Sequence, residues 1–116
     1  MQTTSKHTLL VSKLSSLNLP QGWSTYLLIC QDGSYYIGST ENLRERILNH
    51  AEGKGGAHTK ENPPVIFAWY ESHPEAESAR QRERQLKGWS RSKKNFLVRA
   101  SSPQFSFGRH PNLRLP

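Results

Sequence analysis

The sequence predicts an α+β domain, a three-stranded, mainly antiparallel sheet flanked by helices, in the order β-β-α-β-α-α. Three observations predict it. The run Trp23 to Cys30 is β-branched, aromatic and aliphatic, and an Asp32-Gly33 turn signal separates it from a second short strand, Ser34 to Ser39. Apolar residues recur at helical spacing on either side of residue 65. Between those helices Val65 to Tyr70 is apolar at nearly every position, which suits a strand covered on both faces.

The chain of 116 residues makes one domain, and its 34% hydrophobic content limits the core to a small one. Residues 1–21 form an N-terminal arm. They hold no acid, many Ser and Thr, and a weak helical pattern of Leu10, Leu14 and Leu17, ended by Pro20-Gln21-Gly22. A disordered arm, a short packed helix and a degenerate targeting segment all fit that pattern. The domain proper spans residues 22–100. Residues 101–116, with Pro103, Gly108, Pro111 and Pro116, read as a flexible tail.

Hairpin register decides which side chains share a face. A two-residue Asp32-Gly33 loop would put Tyr26 and Tyr36 on opposite faces. A three-residue loop, Gln31-Asp32-Gly33 with Gly33 left-handed, pairs Leu28 with Tyr36 and Tyr26 with Gly38. It gathers Leu27, Ile29, Tyr35 and Ile37 on one apolar face, so it is the register expected. Tyr26, Leu28, Tyr36 and Gly38 then share the other face, where the glycine leaves room for an approaching group.

The first helix runs from Glu41 to Glu52, with Leu43, Ile47 and Ala51 on its stripe and Gly53 at its stop. Gly53, Gly55 and Gly56 with Lys54 read as a mobile loop. After the third strand, Ser72 and Glu75 have capping-box spacing and open a helix that ends at Gly88. Ser90 to Arg99 reads as the final helix.

No apolar run approaches the roughly 20 residues of a membrane helix, so membrane insertion is excluded. A lone cysteine, Cys30, excludes an intrachain disulfide and a Cys-rich zinc site, and places the chain in a reducing, cytoplasmic compartment. The net charge of +7 is concentrated. Residues 80–99 hold Arg80, Arg82, Arg84, Lys87, Arg91, Lys93, Lys94 and Arg99 against one acid, Glu83. A polyanion such as nucleic acid fits this block, and so does a solvated helix face.

Glu83 falls inside the arc of Ala76, Ala79 and Leu86, about 40° from Ala79 and about 60° from Leu86 on a helical wheel. An inward carboxylate needs a cation or a partner such as Arg80 or Arg46. Arg46 and His50, four residues apart, share one helix face.

These residues carry a resemblance. Ser24-Thr25-Tyr26, ten residues ahead of Tyr36-Ile37-Gly38, resembles the paired signature of GIY-YIG nucleases, with Ser24 and Thr25 in place of the glycine and isoleucine. The pattern continues through Asn42-Leu43-Arg44-Glu45-Arg46, His50, the glycine loop and Glu83 ahead of Leu86-Lys87-Gly88. The segment Lys87-Gly88-Trp89-Ser90-Arg91-Ser92-Lys93-Lys94 is similar to the small stand-alone bacterial members. The likeness covers roughly residues 23–98.

The resemblance implies a GIY-YIG-like fold and a metal-dependent endonuclease acting on DNA phosphodiesters, in DNA repair or recombination. It implies that Glu83 holds Mg²⁺ or another divalent cation such as Mn²⁺. Arg46 would grip the scissile phosphate, and His50 would pass a proton or position a tyrosine. Tyr26 would be the general base and Tyr36 would orient water or phosphate; the residues alone do not divide those roles. Lys54, His58, Lys60, Arg84, Lys87, Arg91, Lys93, Lys94 and Asn95 are the candidate nucleic-acid contacts. Two alternatives stand beside the enzyme: a catalytically silent nucleic-acid-binding module, and a subunit that cuts only with a protein partner.

Overall fold

The hairpin adopts the three-residue loop. In the computed structural model, which describes residues 18–100 and 105–106, strand β1 (Ser24–Cys30) pairs antiparallel with β2 (Tyr35–Thr40), setting Leu28 opposite Tyr36 and Tyr26 opposite Gly38. Gly33 closes the turn at φ 85°, a conformation that favours glycine. Its N–H donates to the Cys30 carbonyl, and the Cys30 N–H donates to the Ser34 carbonyl.

Helix α1 (Leu43–Ala51) follows. It starts at Leu43, later than the expected Glu41, because Asn42 caps it: the Asn42 side chain accepts from the Glu45 N–H and donates to the Glu45 carboxylate. A short helix, α2 (Ala57–Glu61), then leads into β3 (Pro64–Ser72), α3 (Ala76–Lys87), α4 (Arg91–Ala100) and a two-residue strand, β4 (Phe105–Ser106). The three antiparallel strands stand as expected, and β4 extends the sheet to the order β2-β1-β3-β4. Thus part of the expected tail joins the sheet; the rest of it, and residues 1–17 of the arm, lie outside the described residues. Leu19, at the end of the arm, packs against the core.

The capping box does not form. Ser72 stays in β3, paired with Ser24 at the far end of β1, so the ladder claims the residue that the box requires. Glu75 takes the N-cap position without a side-chain hydrogen bond.

Every residue of β1 is buried, since helices cover both faces of this central strand. One face joins Leu27, Ile29 and Ile37 to Ile66, Ala68, Trp69, Leu86 and Val98, with Tyr35 packed beside them. The other joins Tyr26 and Leu28 to Leu43, Ile47 and Phe67, with Tyr36 at its rim. A register shift between Leu27 and Leu28 lets β3 serve both: Trp69 lies opposite Leu27, and Phe67 opposite Leu28. Thr25 fastens α3 to the first face, its hydroxyl donating to the Ala79 carbonyl at 2.7 Å.

Candidate active site

The second face gathers most of the candidate catalytic residues. Strand alternation puts Tyr26 beneath α1, wholly buried, with its ring across the backbone of β2. A Cβ at Gly38 would sit 2.5 Å from the Tyr26 hydroxyl. The room that the glycine leaves is therefore filled by the tyrosine itself, not by an incoming group. Tyr36 stands two residues earlier on β2, half-buried, its ring centroid 6.3 Å from that of Tyr26.

One turn of α1 brings Arg46 and His50 to the phenol. Tyr26 Oη lies 2.8 Å from His50 Nε2. Arg46 Nε donates to the same oxygen at 3.3 Å, and Arg46 Nη2 donates to the Gly55 carbonyl at 3.0 Å. The His50 ring packs edge-on against Tyr36, with centroids 4.7 Å apart. Its Nδ1 lies 2.9 Å from Thr59 Oγ1.

The glycine loop, expected to be mobile, is packed at Gly55. A Cβ there would fall 2.0 Å from His50 Nδ1, so the loop folds over the imidazole only because this residue has no side chain.

Burial sets the protonation states. It pushes the Tyr26 phenol far above its ordinary value, against the Arg46 hydrogen bond; the nearby charge of Glu83 adds to the rise. Burial, helped by the Arg46 guanidinium, holds the His50 imidazole down to about 4. At neutral pH both groups are uncharged.

Glu83 approaches from the first face. Its Oε1 accepts from Ser39 Oγ at 2.6 Å and its Oε2 from Lys87 Nζ at 2.7 Å. The partners considered from the sequence, Arg80 and Arg46, are replaced by these two. Partial burial alone would raise its pKa; the hydrogen bonds from Lys87 and Ser39, with the charges of Lys87 and Arg84, outweigh it and hold the carboxyl below its usual range. Tyr26 thus crosses β2 at Gly38, and Glu83 reaches the next residue, Ser39. The two halves meet at the edge strand, with no further strand between them.

An ionised carboxylate such as Glu83 is the oxygen donor a hard divalent cation takes, and a cation there would share it with Ser39 and displace Lys87. Among the described residues, no cluster of three or more His, Cys, Asp or Glu side chains forms a metal-binding group.

The expected nucleic-acid contacts divide. His58 stays near the site: it stacks on Tyr36 at 6.1 Å and lies 2.9 Å from Ser34 Oγ, which also donates to Asp32. Lys60 is exposed on the same short helix, and Lys54 is exposed in an ion pair with Glu52. Arg84 is exposed on α3, and Lys87 is held by Glu83. Those on α4 belong to a helix that packs on the sheet face opposite Tyr26 and Tyr36. Arg91 covers the Tyr35 ring at 3.9 Å and donates to the Gly33 carbonyl. Asn95 accepts from the Tyr35 hydroxyl, Lys93 lies over Trp89, and Lys94 is half-buried.

Three further residues belong to the site: Thr59, Ser39 and Gly55. Thr59 is buried on α2, a helix too short and polar to show a period. Ser39 could have been marked, since the expected register places it on the Glu83 side of β2.

The family model for the GIY-YIG catalytic domain matches residues 22–95. A UPF0213 protein of Xanthomonas axonopodis pv. citri is 40% identical over 78 residues, covering 67% of this chain and 76% of its own length. One from Bacillus pumilus is 37% identical over 73 residues, covering 63% of this chain and 74% of its own. The solution NMR structure of the UPF0213 protein of Bacillus halodurans has 37% identity and a TM-score of 0.46, covering 68% of this chain and 84% of its own. The family-model match over residues 22–95 places the chain in the GIY-YIG family.

Proposed function

We propose that the protein is a metal-dependent endonuclease that hydrolyses DNA phosphodiesters at the edge of β2. The observation that carries the reading is a buried Tyr26–His50 pair linked to the half-buried Arg46 and set beside the half-exposed Tyr36, with an ionised carboxylate bonded one residue along the edge strand. A module that only bound DNA would need cations at its surface. It would gain nothing from burying a phenol and an imidazole together, which costs stability.

Phosphodiester hydrolysis needs an activated water, charge neutralisation at the phosphate and help for the leaving oxygen. Glu83 would hold a divalent cation, Mg²⁺ or Mn²⁺, which when bound supplies charge neutralisation at the phosphate oxygens. Arg46 donates to Tyr26 and to the Gly55 carbonyl and interacts with Tyr36, and the rest of its five N–H donors suit a phosphate. Its bond to Tyr26 is long at 3.3 Å, so a substrate phosphate competes for the same guanidinium. Tyr26, losing its proton to His50, becomes a phenolate able to take a proton from water. Tyr36, which retains solvent contact, orients that water or the phosphate. The surface cations Lys54, Lys60, Arg84, Lys93 and Lys94 contribute salt-dependent attraction to the DNA backbone.

The test is nicking of supercoiled plasmid with Mg²⁺, with EDTA, and with Glu83→Gln as control. Mg²⁺-dependent nicking absent from the variant supports the enzyme. Plasmid binding by the wild type without nicking in Mg²⁺ returns the silent-module reading.

A further inference from the structure

A histidine beside a phenol can either accept its proton or donate one to it. The choice depends on which ring nitrogen carries hydrogen, and that is set by the bond on the far side of the ring. At His50 the far side is Thr59.

The donors can be assigned along the chain of contacts. Arg46 Nε has only a hydrogen to offer, so Tyr26 Oη is an acceptor there. The Tyr26 hydrogen then has one partner in reach, His50 Nε2 at 2.8 Å. On the other side, Thr59 Oγ1 lies 3.5 Å from the Gly56 carbonyl, which can only accept. The threonine hydrogen directed to that carbonyl leaves an oxygen lone pair facing His50 Nδ1 at 2.9 Å. The imidazole hydrogen belongs on Nδ1. Thr59 and His50 are both 0% exposed, so water does not compete for these positions.

We propose that Thr59 is a positioning residue for the nuclease reaction, locking His50 as the Nδ1–H tautomer so that Nε2 stands as the acceptor for the Tyr26 proton; the assignment rests on the endonuclease reading. The step balances. The proton leaves Tyr26 Oη for Nε2, giving a phenolate beside the Arg46 guanidinium and an imidazolium that still donates Nδ1–H to Thr59. When the phenolate takes a proton from the attacking water, the charge on Tyr26 is discharged; His50 holds the first proton until cleavage, when it leaves through Tyr26 to neutralise the leaving oxygen and both residues are restored. Without an acceptor at residue 59, the buried Nδ1–H has no partner. The tautomer then inverts, Nε2–H donates to Tyr26, and the phenol has nowhere to send its proton. Gly55 takes part by omission, because any side chain there would occupy the place of the ring.

Nitrogen-15 NMR of the whole chain, labelled at histidine and recorded near neutral pH, reads the tautomer without any substrate. The expected spectrum shows His50 protonated at Nδ1 and bare at Nε2; a wild-type His50 protonated at Nε2 overturns the assignment. Thr59→Val keeps the shape and removes the acceptor. It should invert or mix the tautomer and slow Mg²⁺-dependent nicking by about 100-fold or more, the scale of losing general-base catalysis. Serine hydrolases trapped in the wrong tautomer lose on the order of 10⁴. Plasmid affinity should not change, and Thr59→Ser should restore both tautomer and rate. A valine variant that keeps Nδ1–H and cuts normally when folded, or a serine variant that rescues neither, overturns the proposal. If the valine variant does not fold, the wild-type spectrum and the serine variant still decide. A wild-type protein that never nicks removes the nuclease reading and the catalytic role with it, while the nitrogen shifts still report what Thr59 does to His50.

Discussion

The two faces of the sheet spend their polar atoms in different ways. On the face under α3 and α4, polar side chains act as anchors: Thr25 ends on the Ala79 carbonyl, and Tyr35 on Asn95. On the face under α1 and α2, they are joined in series, from Arg46 through Tyr26 and His50 to Thr59. Anchors hold elements in place and leave the surrounding core apolar. A series couples protonation states, and here burial holds both members neutral, raising the Tyr26 phenol and lowering the His50 imidazole. The difference separates a face built for packing from one that gathers buried titratable groups, where the proposed endonuclease would do its chemistry.

The largest expected effect tests whether the faces cooperate at the β2 edge. Glu83→Gln keeps volume and helix propensity but removes the charge that binds a cation. Mg²⁺-dependent nicking should collapse, while plasmid affinity holds or tightens. Stability should change by no more than about 1 kcal/mol, since glutamine can still accept from Ser39 and Lys87 and the lost ion pair is partly exposed. A variant that melts early yet cuts normally when folded would make Glu83 an anchor like Thr25.

Next in size is Tyr26→Phe, expected to slow cleavage by roughly 100-fold with binding little changed. The ring still fills its place over Gly38, so the readout isolates the hydroxyl. A near wild-type rate would move the base role to Tyr36.

The pH dependence of stability sharpens the comparison without any substrate. His50 sits near 4 when folded, held down by burial and then by Arg46; unfolded, it titrates at about 6.5. Above that value the imidazole is neutral in both states and has no effect. As pH falls from about 6.5 to 4, the unfolded chain takes up a proton that the folded one refuses, so stability is lost. The loss is bounded at about 3 kcal/mol and levels off below pH 4. The groups facing the ring are Arg46, Tyr26, Tyr36 and Thr59, and only Arg46 is charged. His50→Gln should melt with a flatter dependence across this window. Parallel wild-type and variant curves would mean that His50 does not stay neutral.

Gly38→Ala should cost about 1–3 kcal/mol by overpacking, because its Cβ meets a buried ring that cannot turn aside. Cleavage should fall with it as Tyr26 is displaced. Ile37→Val, one residue away on the other face, should cost about 1 kcal/mol and leave the rate per folded molecule unchanged. If the two variants lose rate and stability in the same proportion, the faces do not differ in kind.

This contrast also marks what could be read from the chain. The alternation of Tyr26 to Ile29 with Tyr35 to Gly38, joined by a Gly33 turn, defines the register, and the register separates the faces. The spacing of Arg46 and His50 puts them on one side of α1. The partners of those residues could not be read, because they depend on contacts between distant elements. Thr59 sits on a single turn with no apolar period, and the bond between Ser39 and Glu83 joins residues 44 apart. Gly55 looked like loop flexibility when its role is to let a ring close by. Ser72 and Glu75 matched a capping box locally, but pairing with β1 prevailed over the cap.

The smallest effect concerns Asn95, a candidate DNA contact by its position after Glu83. Its side chain accepts from Tyr35, on the face away from the buried phenol, and Arg91 covers the same Tyr35 ring. Asn95→Ala should therefore behave as the loss of an anchor. One part-buried hydrogen bond disappears and leaves a phenol hydroxyl that can turn toward solvent, which costs about 1 kcal/mol. Tyr35→Phe should cost a similar amount, and the double variant should cost less than the sum, since both remove one bond. Plasmid affinity, its salt dependence and the nicking rate should all match wild type. Additive stability losses would mean that the pair is not coupled. A flatter salt dependence or a slower cut in Asn95→Ala would bring Asn95 itself into the DNA interface and end its reading as an anchor of the packing face.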